Sequence, residues 1–110
     1  MEINTAIKPL SAMAHDGRLT LLRRLIQAGP DGVGVGDLAK YAKVRMTTAS
    51  AQLAVLDNAG LVQAQRHGRQ VIYRADYKTL GDLMQFLLHD CCQGRDEIVC
   101  CVSAQVQNAG

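Results

Sequence analysis

The spacing of apolar residues changes once along this chain, and that change constrains the fold more than any other feature. Up to residue 59 apolar residues recur at helical spacing. The clearest of these helices carries its apolar face on Leu19, Leu22, Leu25 and Ile26. Between residues 61 and 75, two short runs flank Gly68, as in a β-hairpin with a tight turn. After Asp76 the helical spacing returns, so we expect a mainly α protein with one β-hairpin, an α+β fold.

The helices before the hairpin end at recognisable stop signals. One ends at Gly29-Pro30, and residues 31–36 follow as a glycine-rich loop. Asp37 is a candidate cap for a short helix, and residues 43–46 form a tight connection to the next one. That next helix is expected to start near Thr47 or Thr48, to stop at Gly60, and to bury Ala49, Leu53 and Leu56. Paired helices followed by a hairpin predict a winged helix-turn-helix.

The remaining length allows one domain and a short tail. With 110 residues, 48% of them hydrophobic, the chain can bury a single modest core. Asp76 is placed to cap a final helix whose apolar face is Leu80, Leu83, Met84, Leu87 and Leu88. We therefore assign residues 1–92 to a winged helix-turn-helix domain and residues 93–110 to a cysteine-bearing tail.

The charge is concentrated in the middle of the chain. The net charge is only +2, but residues 37–78 contain seven basic and three acidic side chains, which favours a local anionic partner. No run approaches the roughly 18 apolar residues of a membrane-spanning helix, and the first ten residues do not resemble a signal peptide. We expect a cytoplasmic protein with no membrane partner.

Two groups of side chains are candidates for DNA contacts. The first turns of the second paired helix carry short hydrogen-bonding groups on Thr47, Thr48, Ser50 and Gln52. In a helix-turn-helix this end of the helix meets base edges, and the Gln amide can pair with adenine. The hairpin tip carries Arg66, His67 and Arg69, which suit contacts to phosphates or the minor groove.

Several stretches resemble the ArsR family of metal-responsive transcriptional repressors, over about residues 10–92. Residues 13–19 are similar to the opening of the family's second helix, with Asp16-Gly17 where Pro-Thr is usual. Residues 48–56 resemble its recognition helix, with Gln52 where many members carry His, and residues 66–74 resemble its wing. The resemblance implies a homodimer, built from the first and last helices, that binds an inverted-repeat operator in double-stranded DNA without a cofactor.

All four cysteines lie in the last twenty residues, as the adjacent pairs Cys91-Cys92 and Cys100-Cys101. In a reducing compartment such cysteines are more typical of soft-metal ligands or redox groups than of structural disulfides. A helix C-terminus disfavours a thiolate, which argues against a fast-reacting thiol at Cys91 or Cys92. A bound cation would offset that field, so we favour a metal or metalloid site.

The resemblance to the family also places the candidate metal site in the C-terminal tail. Many arsenic and cadmium sensors of the family carry cysteines at the start of the first paired helix, and residues 32–38 contain none. Asp82 and His89 lack the second His of a zinc site on the last helix. His15 is given no role. The tail resembles arsenite sensors with three C-terminal cysteines, which implies a repressor released by As(III), with Sb(III) as a second candidate. The alternatives are a thiol redox or persulfide sensor, a cadmium or zinc sensor, and a small thiol-disulfide enzyme; we expect no enzyme activity.

Overall fold

The computed structural model of the chain describes residues 1–91 and 95, with side chains for residues 1–88 and 95. The described part contains five α-helices, three β-strands and a π-helical segment after the last helix. They follow in the order α1 (Ile3–Met13), α2 (Asp16–Ala28), β1 (Val33–Gly34), α3 (Val35–Ala42), α4 (Met46–Asn58), β2 (Val62–His67), β3 (Gln70–Ala75), α5 (Tyr77–Gln85) and the π-helical segment Phe86–Cys91. The predicted order of helices around a hairpin is confirmed. The predicted boundary between residues 92 and 93 lies outside the described residues.

The hairpin strands β2 and β3 belong to a three-stranded antiparallel sheet in the order β1-β3-β2, with β3 in the centre. His67 pairs with Gln70 at its end, and Gly68 supplies the positive φ of 64° that the two-residue turn requires. The third strand was not expected, because Val33 and Gly34 fall in the predicted loop and pair with Tyr73 and Ile72 of β3. Two residues are too few to show the alternating side-chain pattern of a strand. The strand is recognised only by its pairing with the edge of β3.

The main core forms where α2, α3 and α4 meet the base of the sheet. Its largest fully buried members are leucines, each stabilising the fold by about 2 kcal/mol relative to an exposed side chain. They are Leu21, Leu22, Leu25, Leu38, Leu53, Leu56 and Leu61. The prediction that Leu19 and Ile26 belong to the buried face was wrong, since they are 48% and 41% exposed. The side of α2 that packs against α3 and α4 carries Leu21, which is buried in place of Leu19.

Three helix starts also differ from the sequence expectation. His15, which the sequence analysis gives no role, caps α2 by accepting a hydrogen bond at Nδ1 from the Gly17 amide (3.1 Å). Helix α3 starts after Gly34, which leaves Asp37 inside its first turn and not at the cap. Helix α4 starts at Met46, and its N-cap residue Arg45 makes no side-chain cap hydrogen bond. Helices α3 and α4 thus start without the side-chain caps that their sequences suggest.

A smaller core joins the first and last helices. Ala6 of α1 packs with Leu83 of α5 and with Phe86, and Met13 and Leu87 lie against them. Beside this cluster, α1 exposes an apolar stripe consisting of Ile3, Ile7 and Leu10, and α5 exposes Met84. Within the described residues, no helix combines the length and apolar character needed to cross a membrane.

Asp76 connects the hairpin to α5, as its capping pattern predicted. Its Oδ1 accepts a hydrogen bond from the Thr79 amide, and its Oδ2 accepts one from Gln63 Nε2, both at 3.0 Å. Gln63 Oε1 in turn accepts from Arg74, at 2.9 Å from Nη2. The backbone hydrogen bond from Thr79, assisted by the one from Gln63, holds the pKa of Asp76 below its usual value.

We expect Asp76→Ala to lower the free energy of unfolding by about 1 kcal/mol at pH 7, the usual value of a helix cap. Because folding lowers the pKa of Asp76, this contribution is complete above the unfolded-state pKa of about 4 and disappears as the pH falls through the folded-state value. Urea denaturation at pH 7 and pH 3, at one protein concentration, measures both effects. The exposed Asp82, which pairs with Lys78 one turn away, provides the control Asp82→Ala. Equal losses in both variants at pH 7 would contradict the capping role.

Candidate nucleic-acid interface

The connection between α3 and α4 is a tight turn built on one unusual backbone conformation. Lys43 ends α3 with a φ of 58° and a ψ of 43°, the left-handed conformation. Its amide donates to the Lys40 carbonyl at 3.2 Å, and the Val44 amide donates to the Ala39 carbonyl at 3.0 Å. These bonds satisfy the last carbonyls of α3 and turn the chain within three residues into α4. The result is the predicted helix-turn-helix.

The outer face of α4 is polar and is made of small side chains. Because Ala49, Leu53 and Leu56 are buried on one side, the opposite side faces solvent. Thr47, Thr48 and Ser50 are all exposed there, as expected. The same face carries the exposed Ala51 and Ala54, which sequence reasoning missed because alanine has no polar signal. Small side chains allow a helix backbone to come close to a groove floor.

Gln52 lies apart from the other predicted contact residues. It is half-buried on the flank of the core-facing side of α4, and its amide lies against Gly17 of α2. Its Oε1 is buried with no hydrogen-bond partner among the described residues. In this conformation Gln52 does not project outward with Thr47 and Ser50. The sequence could not reveal this, because the contact depends on where α2 begins in space.

The hairpin forms a basic wing. Arg66, His67 and Arg69 are exposed around the turn at Gly68, in agreement with the sequence analysis. The base of the wing is fixed by the hydrogen bonds from Arg74 to Gln63 on the neighbouring strand. Three further exposed bases lie in and next to the helix-turn-helix, at Lys40, Lys43 and Arg45. The wing and the helix pair therefore both offer positive charge to an anionic partner.

The predicted cysteine site lies almost entirely outside the described residues. Cys91 ends the π-helical segment, and its side chain is not described; Cys92, Cys100 and Cys101 fall outside. Within the described residues, no group of three His, Cys, Asp or Glu side chains could hold a metal ion. Asp82, which the family's zinc site would use, accepts a hydrogen bond from Lys78 at 3.0 Å.

Comparison with known proteins agrees with this fold. No protein-family model matches the chain. The HTH-type transcriptional regulator YbzH of Bacillus subtilis is 30% identical over 93 residues, which are 74% of this chain and 93% of that protein. A Halobacterium salinarum protein named as an arsenical resistance operon repressor, ArsR2, is 42% identical over 64 residues, 58% of this chain and 53% of its own. The chain thus spans about half the length of this second relative.

Solved structures extend the match. A homodimeric winged helix-turn-helix DNA-binding domain from Mycobacterium bovis, described as a possible ArsR-family regulator, is 29% identical with a TM-score of 0.64 and covers 84% of this chain and 86% of its own. The chain belongs to the ArsR family. A further structure, a possible regulator of arsenical resistance, is 28% identical with a TM-score of 0.67, over 88% of this chain and 95% of its own. This ArsR-family protein is therefore a winged helix-turn-helix transcriptional regulator, not an enzyme.

We expect Arg69→Ala to weaken binding to specific and random DNA by similar factors, because we predict that this wing-tip arginine contacts phosphates. The slope of log affinity against log salt should fall by about one counterion. Fluorescence anisotropy at several salt concentrations measures both quantities. Lys78→Ala removes the same charge from α5, where Lys78 pairs with Asp82, and serves as the control. A loss confined to one DNA sequence would show that Arg69 reads bases.

Proposed function

We propose that this chain is a homodimeric repressor that binds an inverted-repeat operator and is released by trivalent arsenic. The observation that carries the DNA part is the exposed, small-residue face of α4 beside an exposed basic wing. Helix α4 enters the major groove with Thr47, Thr48 and Ser50 near base edges and phosphates. Its N-terminal amides receive no side-chain cap from Arg45, which leaves them available to a phosphate. Such a repressor acts in the cytoplasm, where its operator lies.

The dimer would form through α1 and α5. The stripe of Ile3, Ile7 and Leu10 is 66%, 56% and 37% exposed, and Met84 of α5 is 50% exposed. Contiguous exposed apolar side chains on two packed helices are typical of a protein–protein interface. A second copy of the chain presents the same stripe, so a twofold contact can bury both. Two recognition helices then meet the two halves of an inverted repeat.

We expect Ile7→Glu to convert the dimer to a monomer, because it places a charge at the centre of the stripe. Sedimentation equilibrium measures the change in mass, and anisotropy should show operator affinity falling at least tenfold, as one half-site alone is held. Leu19→Glu is the matched control, since Leu19 is 48% exposed on α2 outside the stripe. If Ile7→Glu stayed dimeric, the interface would lie elsewhere.

The inducer is proposed from the chemistry of the tail. Thiolates are soft ligands and favour thiophilic ions over magnesium or calcium. Four cysteines within residues 91–101 supply enough sulfur for a three-coordinate arsenic centre, and the relatives named for arsenical resistance support this choice. Cys91, Cys92 and one of Cys100 and Cys101 would hold As(III), with Sb(III) as a second candidate of the same chemistry.

Induction requires the tail to affect DNA binding through the dimer. Cys91 ends the segment that begins at Phe86, and Phe86 packs against Ala6 of α1. A ligand at this end would favour a dimer geometry in which the two α4 helices no longer match the operator. A coupling of about 1–3 kcal/mol is typical of such regulation, and DNA must then weaken arsenite binding by the same factor.

We expect Cys91→Ser or Cys92→Ser to abolish release from DNA by arsenite without changing operator affinity. Cys100→Ser and Cys101→Ser should each weaken release only in part, Cys100 more than Cys101, because adjacent thiols on a long connection can replace each other. The Cys100→Ser/Cys101→Ser double variant should not respond. The measurement is anisotropy of an operator, selected with the purified protein, during titration with arsenite, antimonite, cadmium and zinc.

Three outcomes would contradict the arsenic proposal. A normal response of the double variant would remove the distal pair from the site. A response to cadmium or zinc alone would change the inducer. Release by an oxidant or a persulfide donor, with the matching mass increase on cysteine and no arsenite effect, would show a thiol sensor instead.

A further inference from the structure

Gly17 and Gln52 meet between α2 and α4, beside the proposed DNA-reading face. Gly17 is the second residue of α2, and Gln52 lies in the middle of α4. A Cβ built on Gly17 would overlap Gln52 Nε2 and lie 2.9 Å from both Cδ and Oε1. The Gln52 amide therefore occupies the space that any side chain at position 17 would fill.

The contact with Gly17 holds the Gln52 amide in place but leaves its carbonyl oxygen without a hydrogen bond. Oε1 is buried and has no hydrogen-bond partner among the described residues, although it can accept two hydrogen bonds. The Gly17 amide already donates to His15 Nδ1 at 3.1 Å, so it is not available to Oε1. An unpaired buried carbonyl is unfavourable, so packing alone stabilises the docked position. A partner that forms hydrogen bonds with both Oε1 and Nε2 of Gln52 would therefore compete effectively with the docked position.

The position of Gln52 on α4 gives the side chain a short route outward. Thr48, one turn earlier, and Val55, three residues later, are exposed on the same flank of the helix. The side chain of Gln is long and unbranched, and rotation about its first two bonds carries the amide from α2 toward that flank. Adenine offers an acceptor and a donor in the major groove that match the Gln amide.

We infer that Gln52 is a specificity-determining residue with two positions, docked on Gly17 in the free protein and released to an adenine in the operator. Gly17 is its positioning residue, since the absent Cβ is what makes the docked position possible. Only molecules with an undocked Gln52 bind the operator with full affinity. The apparent operator affinity is therefore lowered in proportion to the fraction of molecules in which Gln52 is docked. This inference rests on the proposed role of α4 in DNA recognition.

The test is a double-variant cycle in the full-length dimer with Gly17→Ala, Gln52→Ala and their combination. Gly17→Ala should undock the amide and raise operator affinity roughly three- to tenfold, with no gain on random DNA. The gain should vanish in the Gln52→Ala background. Gln52→Ala alone should reduce the preference for one A·T pair in each half-site about tenfold, measured with single-base operator variants. The control is Gly36→Ala at the same position of α3, where an added Cβ meets nothing within 4 Å.

Two further measurements separate this role from a purely structural one. Urea denaturation should show Gly17→Ala no less stable than wild type, because Ala is favoured over Gly in a helix. The side-chain NH₂ resonances of Gln52 in wild type should shift on adding operator but not on adding random DNA.

Several results would overturn the inference. These are an unchanged operator affinity in Gly17→Ala, a gain that persists without Gln52, a large loss of stability, or unshifted Gln52 resonances. Wild-type operator binding and the salt slope of Arg69→Ala report the proposed DNA-binding function independently. The inference can thus fail while that function holds.

Discussion

The burial of Ala49, Leu53 and Leu56 on one side of α4 is the constraint on which the rest of this structure depends. These side chains fix the rotation of α4 about its axis, so its opposite face must point to solvent. Leu38 of α3 packs into the same core, and the left-handed Lys43 makes the turn between the two helices tight enough for both to do so. The outer face of the recognition helix is thus a consequence of core packing.

The sheet holds the wing at a defined distance from that core. Leu61 and Val62 are buried at the start of β2, and Ala75 is buried at the end of β3, whereas the tip around Gly68 extends into solvent. Hydrogen bonds from Arg74 through Gln63 to Asp76 connect the base of the wing to the first turn of α5. These hydrogen bonds link α5 directly to the base of the wing. They therefore connect the proposed dimer helix to the proposed DNA-contacting wing.

The candidate site has two parts, the proposed DNA-binding surface and the proposed cysteine site. The DNA-binding half follows from exposed side chains on α4 and the hairpin, and family membership agrees with it. The ligand half rests on sequence, since only the backbone of Cys91 is described among the four cysteines. The donor chemistry of those thiols limits the inducer to soft ions or to thiol-modifying agents.

The sequence by itself determined the order of the helices and the hairpin, the hairpin turn at Gly68, the cap at Asp76 and the buried face of α4. Each of these is encoded locally, by side-chain period or by a residue that one backbone conformation requires. Only the tertiary structure decided that Val33 and Gly34 form a strand, that α2 buries Leu21 in place of Leu19, and that the Gln52 amide lies on Gly17. These features depend on contacts between residues distant in sequence, for which no local pattern exists. The same reason explains why Gln52 resembled its neighbours Thr48 and Ser50 in the sequence and differs from them in the fold.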